Sequence, residues 1–280
     1  MTRSPGVRRV GVSHLRTLVA IGAHLAALAV QSSPASAQVA DPNFWVADGE
    51  VIATALSGNT LYVGGVFTRL GPQLGNLIPI DAASGAAVAG WPKVNGSIRA
   101  VTSDLAGGWY IGGSFTRVGG QPRSNLAHIR ADRSVDPWNP GTDDFVFALA
   151  VSGTTVYAGG LFTQAGGQAR SRLAAIDAAI GAATSWDPSP DGAVYTLATS
   201  GSTVYVGGAF SSIGGSVRNS VAAIDAATGQ ATGWDAQLSA FPSEVYTLAV
   251  SGTTIFLGGG FTQAGGQTRV DLAAVDAITG

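Results

Sequence analysis

The sequence predicts an all-β chain built from five four-stranded repeats of about 48 residues. Three observations carry that expectation. A single unit recurs, approximately Val-x-x-Leu-Ala-x-Ser-Gly-x-Thr-Val-Tyr-x-Gly-Gly-x-Phe-Thr-x-x-Gly-Gly-Gln-x-Arg, followed by Leu-Ala-Ala-Ile-Asp and a later Trp. Its phenylalanines Phe67, Phe115, Phe162, Phe210 and Phe261 are 48, 47, 48 and 51 residues apart. Within each copy, short apolar runs alternate with turn residues, and no window keeps the 3.6-residue period of a helix. A period near fifty with four short strands per copy is the pattern of a β-propeller, in which each sheet packs only on its neighbours.

The elements follow in order, and the third copy shows them most plainly. Its first strand is expected over Val146 to Val151, closed by the turn Ser152-Gly153-Thr154. Its second runs from Thr155 to Phe162 and holds Gly159-Gly160, where missing side chains admit a close neighbour. A polar loop, Thr163 to Ser171, leads to a third strand over Leu173 to Asp177. A turn ending at Gly181 returns the chain to a fourth strand at Trp186. Runs such as Thr203-Val204-Tyr205-Val206 are apolar on both faces, as a sheet covered on both sides requires. Trp45, Trp91, Trp138, Trp186 and Trp234 supply one indole per copy, read as a packing device whose N–H finds a carbonyl.

The chain ends leave two readings open. Asp41 to Trp45 resembles a lone fourth strand, and the last copy supplies three strands before stopping at Gly280. An N-terminal strand would complete that last sheet and close the ring, removing exposed edges. Alternatively, the chain is a fragment of a larger propeller.

Residues 1–37 read as a signal peptide and 38–280 as the repeat domain. Arg3, Arg8, Arg9 and Arg16 precede the apolar stretch Leu18 to Val30, and Ala35-Ser36-Ala37 forms a small-residue cleavage site. The apolar stretch is too short, and with His24 too polar, to span a bilayer. A secreted, periplasmic or cell-surface address follows. Removing the leader leaves 17 acidic against 11 basic groups, an excess of acid that argues against nucleic acid as a partner. Cysteine is absent, so packing alone must hold the fold.

The Gly-Gly-x-Phe-Thr element, with the Asp-x-x-x-Gly and Trp element, resembles the bacterial delta-60 repeat of secreted and surface β-propellers. Kelch and quinoprotein repeats are similar in part, the latter through Ala223-Ile224-Asp225, Gly229 and Trp234. The resemblance implies the propeller and no particular activity.

Catalytic groups are sparse. His128 alone survives leader removal and stands where other copies have Ala175 and Ala223, so it reads as strand filler. Asp81, Asp177, Asp225 and Asp276 precede tight turns, where Asp accepts hydrogen bonds from the turn backbone. Asp143-Asp144 and Asp187 to Asp191 read as solvated acidic loops, calcium being the one ion they would suit. No other cofactor is expected. The loop after each Phe-Thr carries Gln73, Gln121, Gln168 and Gln267, with Arg123, Arg170, Arg218 and Arg269. These residues should ring one face, either locking blade to blade through a neighbouring Asp or backbone carbonyl or forming a polar binding face for an anionic or sugar ligand. The reading that follows is a non-enzymatic binding or cell-envelope scaffold module whose partner is a protein or glycan. An extracellular enzyme on polysaccharide or an oxidisable substrate, using loop carboxylates, is the alternative; a fragment of a larger surface protein is another.

Overall fold

The structure, a computed structural model, describes residues 50–57, 60–66, 77–88, 90–239 and 242–280. The expected signal peptide, the strand at Asp41 to Trp45, Phe67 and Gln73 lie outside the described residues. What is described is a β-propeller. Five antiparallel sheets follow one another along the chain. Their first strands are Glu50–Ser57, Val94–Ser103, Val146–Ser152, Ala193–Ser200 and Glu244–Ser251. Their second strands are Thr60–Val66, Trp109–Val118, Thr155–Gly160, Thr203–Ala209 and Thr254–Gly260. Their third strands are Leu77–Asp81, Leu126–Ile129, Leu173–Asp177, Val221–Asp225 and Leu272–Asp276. In every sheet the second strand lies between the first and third. The first strands also contact the first strands of neighbouring sheets, which puts them on the inner side of the assembly.

The fourth run is reduced to a single bridge. Ile129 pairs with Val135, Ile176 with Ala183, and Ile224 with Ala231, and there the ladder stops. The cause is local. Two residues before each tryptophan a side chain takes the Trp backbone N–H: Asp136 for Trp138, Thr184 for Trp186 and Thr232 for Trp234. That turn pulls the backbone off the sheet and sends the indole inward, where each of these three rings is buried. The loop between the second and third strands in turn gains a small ribbon, such as Gln164–Ala165 paired with Gln168–Ala169.

The core lies between sheets. Tyr157, Leu173 and Ala175 of the third sheet pack with Val194, Leu197, Val204 and Val206 of the fourth, and the same interface recurs between the fourth and fifth. Each tryptophan joins three parts of it. Its ring meets a second-strand tyrosine of its own repeat edge-on, at 5.0 Å for Tyr110–Trp138 and 5.1 Å for Tyr157–Trp186. Its Nε1–H donates to the turn carbonyl of the next repeat: Trp138 to Asp177, Trp186 to Asp225 and Trp234 to Asp276, each at 2.9 Å. Those aspartates shape the turn as their sequence position suggests. Asp225 Oδ1 accepts from the N–H groups of Ala227 and Thr228. On the fifth sheet Phe256 and Leu272 are 40% and 69% exposed, whereas the matching Tyr205 and Val221 are 5% and 1%. Among the described residues no sixth sheet covers that face.

The glycine pairs sit at the tightest approach. A Cβ on Gly159 would lie 2.4 Å from a Val194 methyl of the next sheet; one on Gly160 would lie 1.9 Å from the Phe145 carbonyl oxygen. Backbone cannot yield as a side-chain tip can, so Gly160→Ala is expected to cost about 3 kcal/mol or more. Gly153→Ala, in an open turn at φ +56° with nothing within 4 Å, should cost about 1 kcal/mol. Urea unfolding of the two variants checks the contrast. By the same measurement Trp186→Phe, which removes the bond to Asp225 and leaves a cavity where the pyrrole part of the buried indole sat, should lower stability by about 2–3 kcal/mol.

Candidate binding site at the inner end of the sheets

Antiparallel registers place the starts of the first strands and the loops after the second strands at one end of every sheet, since Val146 pairs with Gly160. That end carries the glutamines and arginines of the loop. The arginines are occupied by backbone. Arg123 Nη2 donates to the Asp136 carbonyl, Arg170 Nη2 to Thr184 and Arg218 Nη2 to Thr232. These are the residues whose side chains turn the chain before each tryptophan. The guanidinium thus takes the place of the ladder that the missing fourth strand would supply, and it ties loop to turn within one repeat rather than between repeats. Arg269 donates to the Thr268 carbonyl and is exposed. Gln121, Gln168 and Gln267 are exposed on the same loops.

The acidic loops have a similar local use. Asp143 Oδ1 accepts from the N–H groups of Thr163 and Gln164, and Oδ2 from the Thr163 hydroxyl. Asp191 repeats the pattern on Ser211 and Ser212, and Asn95 does so on Thr116 and Arg117. Burial pushes the Asp143 and Asp191 carboxyls up, but these donated bonds outweigh it and hold both below the ordinary range. Among the described residues no three His, Asp or Glu side chains group as metal ligands. A second interlock comes from a left-handed residue before each third strand. Asn125, Arg172, Ser220 and Asp271 have φ near +60°. Three of their side chains cross to the segment entering the next sheet: Asn125 to Asp144 O, Arg172 to Pro190 O and Ser220 to Ser243 O.

His128 is more than strand filler. Its Nε2 is 2.8 Å from Asp104 Oδ2, its Nδ1 is 3.6 Å from Asp136 Oδ2, and Tyr110 stacks on its ring. Arg130, in the place of the usual turn aspartate, bonds Asp136 as well, at 2.6 Å. This cluster is confined to the second repeat and pairs its polar groups with one another, the Arg130 side chain staying half exposed.

The feature least like its copies lies on the first strands. Each has a β-bulge opposite its glycine pair, between Val51 and Ala53, Ile98 and Ala100, Val146 and Ala148, Val194 and Thr196, and Val245 and Thr247. A bulge re-aims one side chain, and the residues so placed are Ile52, Arg99, Phe147, Tyr195 and Tyr246. Four of them form a row from sheet to sheet. The Arg99 guanidinium lies 5.5 Å from the Phe147 ring centre and 5.8 Å from that of Phe145. Phe147 is 5.8 Å from Tyr195, and Tyr195 is 5.8 Å from Tyr246. The Tyr246 hydroxyl donates to the Glu244 carboxylate, which pushes its pKa up to about 12; burial, then the same carboxylate, raises Tyr195 as well. Both phenols therefore stay protonated. Sequence reading missed the row because each member occupies a variable place in Val-x-x-Leu and the members stand about fifty residues apart. The one available signal was a large aromatic recurring beside the buried valine in three consecutive copies.

Comparison with known proteins agrees with the fold. The family described as a domain of unknown function (DUF5122) beta-propeller matches residues 107–137. Among curated proteins no sequence relative matches. The WD40 beta propeller domain of Doa1 superposes with a TM-score of 0.52 at 12% identity, over 81% of this chain and 63% of that one. The computationally designed Ika8 protein aligns with a TM-score of 0.49 at 17% identity, over 82% of this chain and 72% of that one.

Arg170→Ala and Arg218→Ala should each lower stability by about 1–2 kcal/mol through lost bonds to Thr184 and Thr232. Gln168→Ala should change it by less than about 0.5 kcal/mol; denaturant midpoints decide. The pH dependence has a definite sign. Asp143, Asp191, Asp104 and Asp136 all titrate below their unfolded values. Their contribution is therefore present above about pH 4 and lost as pH falls through the depressed folded values. Asp143→Asn with Asp191→Asn should flatten the fall in melting temperature below pH 4.

Proposed function

We propose that the chain is a non-enzymatic binding or scaffold module of the cell exterior, holding a glycan or protein partner at the inner end of its sheets. One observation carries this reading: the only described row of unlike, partly exposed rings runs across several repeats there. Equivalent positions elsewhere hold near-identical residues engaged in packing or backbone bonds. A propeller presents such an end on a rigid frame, which keeps the entropy cost of binding low. The leader-like residues 1–37 and the resemblance to delta-60 repeats support export. Export also suits a chain without cysteine whose stability comes from packing. The enzyme reading loses support where Asp143 and Asp191 are engaged by backbone N–H groups.

The test is thermal unfolding of the chain against a panel of glycans, envelope polymers and calcium, repeated on the Phe147→Ala/Tyr195→Ala double variant. The double variant should still unfold cooperatively and lose the ligand-induced shift. A shift that survives would place the partner elsewhere, and a transition moved by calcium alone would favour the acidic loops.

A further inference from the structure

We propose that the row Arg99, Phe147, Tyr195 and Tyr246 binds an acidic glycan, its sugar rings stacked on the aromatic faces and its carboxylate paired with the Arg99 guanidinium. The inference rests on the reading of this end as a binding surface and specifies its ligand.

Arg99 is the starting point. Its Nε is buried without a hydrogen-bond partner, and its described contacts are the faces of Phe145 and Phe147. Ring faces attract a cation but accept its N–H groups only weakly. A half-buried guanidinium without an acceptor is costly, and a carboxylate matches its planar fork with two parallel bonds. Arg123 and Arg170 share the unpartnered Nε, but their Nη groups, like those of Arg218, donate to carbonyls, whereas no described acceptor meets the Arg99 guanidinium. The cation facing this end thus has a buried Nε and is oriented by the two phenyl rings beside it, with its terminal nitrogens left for a ligand.

The rest of the row sets the shape of the ligand. Successive ring centres 5.8 Å apart, from Phe147 to Tyr195 to Tyr246, suit a chain of similar flat units rather than one compact molecule. Aromatic faces stack on the apolar faces of pyranose rings, and the protonated Tyr195 phenol adds a donor to sugar hydroxyls. Glu244, which accepts the Tyr246 hydroxyl, closes the far end with an acceptor for hydroxyl groups and a repulsive charge for a second acid there. The row therefore has a direction, acid towards Arg99 and neutral hydroxyls towards Glu244. Among the described residues, one arginine without an acceptor on a net acidic chain suits an occasional carboxylate far better than the dense phosphates of nucleic acid.

The experiment is calorimetric titration of the chain with a neutral-sugar oligomer carrying one terminal uronic acid and with the same oligomer after reduction of its carboxyl group. The acidic oligomer should bind about ten-fold tighter, the scale of a charge-assisted bidentate bond. Arg99→Gln should erase that difference and keep the weaker binding. Arg99→Lys should retain part of the difference, since it keeps the charge and loses the fork. Tyr195→Ala should weaken both ligands. Thermal unfolding checks that each variant is folded, and Arg99→Lys is read in place of Arg99→Gln if the latter is not. Equal affinity of the two oligomers, or a preference that survives both Arg99 variants, overturns the carboxylate assignment while leaving a binding surface at this end. Binding indifferent to Tyr195→Ala overturns that surface as well, and no binding of either oligomer overturns the glycan proposal.

Discussion

The glycine pair in each second strand is the constraint on which the rest depends. Its first member gives up a side chain so that a valine or isoleucine of the next sheet can sit against the strand, as Val194 does at Gly159. Its second member admits a carbonyl at the entry to its own sheet's first strand at a distance no Cβ would allow, as Phe145 O does at Gly160. The first approach fixes how closely sheets pack. The second permits the bulge, and the bulge aims the residue that becomes part of the inner row. Packing and site are therefore set by two adjacent residues repeated five times.

Around that constraint the molecule spends its polar groups on joining neighbours. The indoles reach forward to the next turn, the left-handed residues before the third strands reach forward to the next entry segment, and the loop arginines reach back to their own turn. Each bond is worth little alone, and together they hold an assembly without disulfides in one register. The same economy explains why so many candidate functional groups turn out to be engaged. An aspartate or arginine that recurs in every copy is answering a need that recurs in every copy, and that need is structural.

Function then belongs where the copies differ. The second repeat has its private cluster of His128 with Asp104 and Asp136, closed upon itself. The bulge position changes along the chain, from Ile52 and the Arg99 cation through the Phe147 ring to the phenols of Tyr195 and Tyr246. A frame of near-equal sheets can hold such a row rigidly while leaving each member free to vary, because its side chain lies outside the interface between sheets.

Much of this was legible in the chain. Strand order, the loop positions, the inward tryptophans and the turn aspartates all follow from local chemistry repeated at fixed spacing: a residue type, its neighbours and a period. Leu173 to Asp177 could be bounded to the residue, because a polar loop precedes its apolar run and a turn ending at Gly181 follows it. The fourth strand was over-read, since a tryptophan in a β-like run does not reveal that Thr184 will turn its N–H out of the ladder. Sequence by itself determined the repeat, the all-β character and the interfaces, because those depend on contacts each copy makes with an adjacent copy like itself. Only the tertiary structure decided that Arg99, Phe147, Tyr195 and Tyr246 form one row. Their meeting depends on a bulge at each strand and on the rotation from sheet to sheet, neither of which any single stretch of sequence encodes.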